Sequence, residues 1–312
     1  MTGGPGQEAV VTVGSFDGVH RGHLAVLAEI TRRAAATGRT SVLVTFEPHP
    51  MEVVNPAAAP LRLTTDEERK EILAETGVHR AVLLRFDERL RRLSPEQFVR
   101  SVLIDRLGMR ELVIGEDHGF GRGRQGDVAL LHHLGAELGF TVDVVAPVVD
   151  RQLGPVSSTR IRAAVGAGQL DIAARLLGRP FRLSATVVTG AGRGRTIGVP
   201  TANLAVHPRK LLPPDGVYAV WVEWAGGRVG GMLNQGPRPT VGEAGRTVEV
   251  HLFGVEQDLY GARVRVEWVQ RLRDIRRFES LQALQEQLMN DRAGAEGILR
   301  TVARPERITG DD

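Results

Sequence analysis

Apolar positions follow two different patterns along this chain, and the change comes near residue 180. Before it, short continuous apolar runs alternate with segments whose apolar residues recur every three or four positions. Continuous runs read as buried strands, and the longer period reads as one face of a helix. The strands predicted this way are 10–13, 41–46, 81–84, 111–115 and 141–145. The helices are 24–36, 65–76, 128–138 and 170–177, with Gly38 and Gly178 as stops. Ser94-Pro95-Glu96-Gln97 opens a further helix, with proline in its first turn. Strands alternating with helices predict a parallel, doubly wound sheet. After Arg179-Pro180, the segments 182–189, 217–224, 229–234, 248–253 and 263–269 are short, β-type and separated by turns. They predict a small antiparallel barrel. A closing helix over 280–290 carries Leu281, Leu284 and Leu288 on one stripe. Two domains follow, 1–178 and 181–312, which suits 312 residues. The glycine-rich start and the tail from about 303 are expected to be disordered.

Composition narrows the chemistry. The chain is 42% hydrophobic and has no cysteine, so disulfides, thiolate metal sites and cysteine nucleophiles are excluded. No signal peptide or apolar run of spanning length is seen, so a soluble cytoplasmic protein with no membrane association is expected. Net charge is only +3 although the pI is 9.9, and the basic residues, nearly all arginine, are interleaved with acids. No basic block calls for nucleic acid. Lysine occurs only at Lys70 and Lys210, neither of which follows a Gly-x-x-x-x-Gly loop, so a Walker P-loop is excluded.

Six stretches concentrate chemistry. The first, Gly14-Ser15-Phe16-Asp17-Gly18-Val19-His20-Arg21-Gly22-His23, joins a buried strand to a helix start. Such a turn lets a phosphate approach backbone N–H groups. His20 and His23 lie three apart on one helix face, where imidazole N–H groups can stabilise phosphoryl charge. A metal pair is an alternative, without a third ligand nearby, and a plain glycine turn with surface histidines is another. Glu47-Pro48-His49-Pro50 ends the second strand at the edge where open α/β sheets bind ligands. The segment 116–127 combines four glycines with two arginines and suits anion contact. Ser157-Ser158-Thr159-Arg160-Ile161-Arg162 reads as a helix N-cap or as a phosphate cradle.

In the second half, Gly190 to Asn203 joins a Gly/Arg-rich flap to Pro200-Thr201-Ala202-Asn203. On an extended backbone, Thr201 and Asn203 can face one hard cation. Thr247-Val248-Glu249-Val250-His251-Leu252-Phe253 puts Glu249 and His251 on one strand face, which is either solvated or functional.

These motifs, in this order, resemble the bacterial bifunctional riboflavin kinase/FAD synthetase family over roughly residues 10–302. The first is similar to the "HIGH"-type nucleotidyltransferase signature, and the Lys-Met-Ser-Lys-Ser loop of tRNA synthetases is absent. Gly-x-x-x-Gly-x-Pro-Thr-Ala-Asn is similar to the riboflavin kinase signature. His118 and Gly119 depart from the family's commoner residues. The resemblance implies a Rossmann-like α/β nucleotidyltransferase domain, followed by a small antiparallel β-barrel kinase domain with a C-terminal helix. It implies that riboflavin is phosphorylated to FMN and that FMN is adenylylated to FAD with release of pyrophosphate. In the first domain it implies His20, His23 and Arg162 in catalysis. Gly14, Phe16, Asp17, Ser158, Thr159 and Asp117 would bind ATP there. In the second it implies Glu249 as general base and Thr201 and Asn203 as Mg²⁺ ligands. Gly192, Arg193, Gly194, Arg195, Thr196, Gly198, Pro200, Asn234 and Arg273 would bind ATP or flavin. The implied partners are riboflavin, FMN and ATP; Mg²⁺ is the cofactor, and FMN and FAD are products rather than prosthetic groups. Two other readings are a monofunctional nucleotidyltransferase with a degenerate second domain and a flavin-binding regulator. The intact Pro-Thr-Ala-Asn and Glu249 argue against the first, and the absence of a basic block against nucleic-acid contacts by the second.

Overall fold

β1 (Ala9–Val13) is buried along its whole length, because it is the middle strand of a sheet packed on both faces. The structure is a computed structural model that describes residues 8–116, 126–190, 198–237 and 246–302. It divides into two units, Met1–Ser158 and Thr159–Asp312.

In the first unit, β1 is joined by β2 (Thr40–Glu47), β3 (Arg80–Arg85), β4 (Met109–Gly115) and β5 (Thr141–Val145). All neighbours are parallel, in the order β3-β2-β1-β4-β5. The five expected strands are therefore all present. Val11 and Val13 pack on one side of β1 with Leu112, Ile114 and Leu131, and Val10 packs on the other with Leu27, Ile30 and Leu43. Leu27 and Ile30 belong to α1 (Arg21–Thr37), which ends at the left-handed Gly38. The chain runs outward from β1 to β2 and β3, then returns to place β4 on β1's other side. Crevices at such reversals, outside the C-terminal strand ends, hold ligands in this class of sheet. β1 delivers the histidine-containing turn to that point.

α2 (Pro50–Val54) follows β2 directly and was not foreseen. Pro48 and Pro50 stop the strand as expected, but Pro50 also occupies the first turn of a helix capped by His49. α3 (Asp66–Ala74) opens with a Thr65/Glu68 capping box. α4 (Glu88–Arg91) and α5 (Pro95–Phe98) are single turns, and α5 continues as a π-helical stretch, Val99–Ile104. α6 (Val128–Leu138) precedes β5, and a small hairpin of β6 (Val149–Asp150) and β7 (Gly154–Pro155) follows it.

α7 (Ser158–Gly166) starts at the division between units, and α8 (Leu170–Leu177) lies in the second unit, ahead of the Arg179-Pro180 boundary expected from sequence. The barrel strands are β8 (Arg182–Val188), β9 (Ala202–Ala205), β10 (Gly216–Trp224), β11 (Gly227–Pro237), β12 (Arg246–Leu252) and β13 (Arg263–Arg273). They close antiparallel in the order β10-β11-β12-β9-β8-β13. β9 was not expected; four residues are too few to display an alternation. α9 (Leu281–Thr301) packs on the outside of β10, β11 and β13 and is about twice as long as predicted. Of the expected stripe, Leu284 and Leu288 are half-buried and continue into buried Asp291, Ala295 and Leu299, whereas Leu281 is 58% exposed and falls off it. The expected tail from 303 lies outside the described residues.

Candidate active sites

The turn after β1 is held against backbone preference. Phe16 and Val19 have φ of 48° and 39°. Left-handed backbone is uncommon for any residue with a side chain and an outlier for a β-branched one. Both side chains are buried with Val26, Leu27 and Ile72, so burial offsets part of the strain. Asp17 supplies the rest. It is 3% exposed, and its carboxylate accepts the N–H of Leu63 at 3.0 Å, the N–H of Thr64 at 3.0 Å and the Thr64 hydroxyl at 3.2 Å. Thr64 Oγ1 accepts Gly18 N–H, and the Asp17 carbonyl accepts the Ser158 hydroxyl at 2.9 Å. Gly14 is required because a Cβ there would stand 2.9 Å from the Phe16 ring.

The turn ends in the two histidines. His20 is the N-cap of α1 and its ring accepts His23 N–H at 3.3 Å; the His23 ring accepts His20 N–H at 3.4 Å. The rings stack at 3.6 Å and 13°, with Phe16 4.7 Å from His23. Both accepting atoms are Nδ1, so each neutral ring carries its hydrogen on Nε2, the donor an anion would meet. Arg69, which sequence reasoning missed, ties this turn to the end of β2. Its guanidinium donates to the Ser15 carbonyl and the Phe46 carbonyl, each at 3.0 Å, and to Asp66 at 2.8 Å. Its helix was expected over 65–76, but nothing there singled out Arg69. Thr159 and Arg162 lie on α7, exposed and half-buried respectively. Asp117 lies outside the described residues.

On the barrel, register builds the second constellation. Glu249 on β12 stands directly opposite Asn203 on β9 and Asn234 on β11. Directly paired residues point to the same face of a sheet, so the three side chains form a row. Thr201, two residues before Asn203, donates its hydroxyl to Glu249 at 3.2 Å. A side chain at Gly190 would overlap the Asn203 amide. Gly198 is left-handed, with φ of 78°, and Pro200 is exposed. Arg273 pairs with Val217, which pairs with Asn234, and its guanidinium donates to both oxygens of buried Asp291 at 2.7–3.0 Å. Gly192, Arg193, Gly194, Arg195 and Thr196 lie outside the described residues.

Among the described residues, no group of three or more His, Asp or Glu is placed to hold a metal ion. The oxygens of Thr201, Asn203 and Glu249 are hard but sparse donors. That suits Mg²⁺, which takes one or two protein oxygens and completes its shell with water and substrate phosphates.

The family model for FAD synthetase matches residues 5–160, and that for riboflavin kinase matches residues 177–299. A bifunctional riboflavin kinase/FMN adenylyltransferase of Pseudomonas fluorescens is 43% identical over 290 residues, 93% of this chain and 92% of its own length. This chain belongs to that bifunctional family. The family's Escherichia coli K12 member is 39% identical, over 92% of this chain and 91% of its own length. A crystal structure titled a macrolide-efflux protein, from Streptococcus pneumoniae, matches with a TM-score of 0.83 and 33% identity, covering 97% of this chain and 96% of that one. Its title describes that protein; what the two chains share is the fold. No helix among the described residues here is long and apolar enough to cross a membrane.

Proposed function

We propose that this chain makes FMN from riboflavin and ATP, and FAD from FMN and a second ATP. The observation that carries this reading is that each unit retains its own phosphate-handling geometry: stacked histidines at a helix N-terminus in one, the Asn203–Glu249–Asn234 row with Thr201 in the other. The limits of the two family models support assigning adenylyl transfer to residues 1–178 and phosphorylation to 181–312.

In the barrel, the ribityl 5′-hydroxyl attacks the γ-phosphorus of ATP, the bond to the β-phosphate oxygen breaks, and Glu249 takes the hydroxyl proton. Thr201 and Asn203 would hold Mg²⁺. When bound, the cation neutralises charge on the transferring group. Asn234 and Gly198-Val199-Pro200 border the site. Arg273, engaged with Asp291, holds the segment after β13.

In residues 1–178, an oxygen of the FMN phosphate attacks the α-phosphorus of ATP and pyrophosphate leaves. That phosphate is already anionic, so no base is needed. Catalysis is then positioning and electrostatics. His20 and His23 donate to the charged phosphate oxygens. Arg162, Ser158 and Thr159 bind the triphosphate, and Asp17 serves ATP through the turn it folds. Both reactions belong in the cytoplasm, where ATP is supplied.

The test separates flavins over time in a mixture of full-length protein, riboflavin, ATP and Mg²⁺. FMN should appear first and FAD later. Glu249→Gln should lower FMN formation by about 10²–10⁴-fold, the usual worth of a general base, while added FMN is still converted to FAD. Equal loss of both activities, or a wild-type protein unable to use riboflavin, would overturn the reading.

A further inference from the structure

His251 stands two residues from Glu249 on β12, on the same face, and no part of the proposed chemistry uses it. Its ring is 7% exposed, and Nδ1 lies 2.7 Å from the carbonyl oxygen of Pro200. A carbonyl can only accept, so Nδ1 carries the hydrogen and Nε2 is bare. Burial lowers the pKa of this imidazole from its ordinary value, against the Pro200 hydrogen bond, which raises it, and with a smaller lowering from Arg292. Phe253 meets the ring edge-on at 5.7 Å.

The bond matters because of what it holds. Thr201 precedes β9, which begins at Ala202, so the strand ladder does not fix it. Proline has no N–H, so the carbonyl is the only backbone hydrogen-bonding group Pro200 offers. Val199, one residue earlier, packs with Met232, Phe253 and Leu299 under α9. The turn before Thr201 is thus fixed at two points, an apolar side chain at 199 and a hydrogen bond at 200. Thr201 leaves that turn with its hydroxyl on Glu249.

We propose that His251 is a positioning residue for phosphoryl transfer: its Nδ1–H holds the Pro200 carbonyl so that Thr201 and Glu249 share one site. This rests on reading Thr201, Asn203 and Glu249 as the kinase site. Misplacing a binding group by about 1 Å can cost about a hundredfold in rate, so the effect should be large for a residue that touches no substrate.

The experiment compares His251→Leu, which removes the donor, with His251→Asn, whose amide N–H replaces Nδ1–H, in the full-length protein. Riboflavin phosphorylation should fall about 10- to 100-fold in the leucine variant, with a raised KM for Mg²⁺-ATP, and stay within about threefold of wild type in the asparagine variant. FAD formation from added FMN should be unchanged in both. The ¹⁵N imidazole signals of the wild-type protein should report the Nδ1–H tautomer, a readout independent of whether the leucine variant folds. An Nε2–H tautomer, equal kinase activity in the two variants, or a folded but inactive asparagine variant would overturn the proposal. A fully active Glu249→Gln would instead overturn the reading of the site beneath it.

Discussion

Replacing Asp17 with asparagine tests whether the turn after β1 is held by that carboxylate. One oxygen accepts Leu63 N–H and the other accepts both Thr64 donors. Asparagine can keep the pair to Thr64 but must turn its NH₂ toward the Leu63 N–H. One hydrogen bond to a charged group is then lost, worth about 1.5–3 kcal/mol, and a buried donor is left unpaired. The residues flanking Asp17 hold strained backbone at Phe16 and Val19, and each such residue stores about 1–3 kcal/mol. The loss is therefore comparable to the strain it opposes, and the turn should relax. If about 2–3 kcal/mol falls on the competent conformation, adenylyl transfer drops about 30- to 150-fold, since 1.4 kcal/mol is tenfold. The assay is kcat/KM for FAD formation from added FMN, with riboflavin phosphorylation in the same preparation as the internal control. FAD formation within threefold of wild type would refute the reasoning. So would an equal fall in both activities, because the damage would not then be local to the turn.

Two further predictions follow from ion pairs. Arg273–Asp291 is almost buried, and removing one partner of such a pair costs about 3–5 kcal/mol. Asp291→Ala should accordingly lower the melting temperature of the second unit and speed amide exchange in α9, read by calorimetry and hydrogen exchange. Arg273→Met with Asp291→Leu should regain most of that stability; if it also regains kinase activity, Arg273 serves α9 and not the flavin. Glu29 accepts hydrogen bonds from Arg32 and Arg33, which hold its carboxyl down from 4.5 to about 2. A native pKa below the unfolded value adds stability that is present above about pH 4.5 and is lost as pH falls toward about 2. Solvent screening limits it to at most about 1 kcal/mol. Glu29→Gln should remove this slope in acid titrations followed by circular dichroism, and an unchanged slope would show that the pairs contribute nothing.

What the sequence reveals here is whatever is local. α6, α8 and β5 begin and end where apolar spacing places them, because their caps and buried faces lie within the segments themselves. Thr201 and Asn203 share a side because an extended chain alternates, and His20 and His23 meet because three residues nearly complete a helical turn. Long-range pairing is what escapes. β9 is a strand only because β8 and β12 flank it. The second half of α9 contains Asp291, Gly294 and Gly297, which look like a helix end. It persists because Arg273 neutralises the aspartate and the barrel receives Ala295 and Leu299. Asp17 finds its partners 46 and 47 residues away, and His251 finds Pro200 at 51. No spacing rule reaches across such intervals.

On the proposed reading the two units prepare a phosphate site in opposite ways, and this sets where each is fragile. In the first, the groups proposed to face the ligand are backbone and ring N–H, so the chain itself must take an unfavourable path. Asp17 and Arg69 keep it there from outside the turn. Loss of such an anchor damages the site without touching any group that meets the ligand. In the second, ladder register already fixes Asn203, Glu249 and Asn234 in a row, and no strained backbone is called for. The weak point there is the one contributor outside the ladder, Thr201. A single hydrogen bond to the residue before it is therefore enough to complete the row, and a buried histidine held in the strand ladder is well suited to make it.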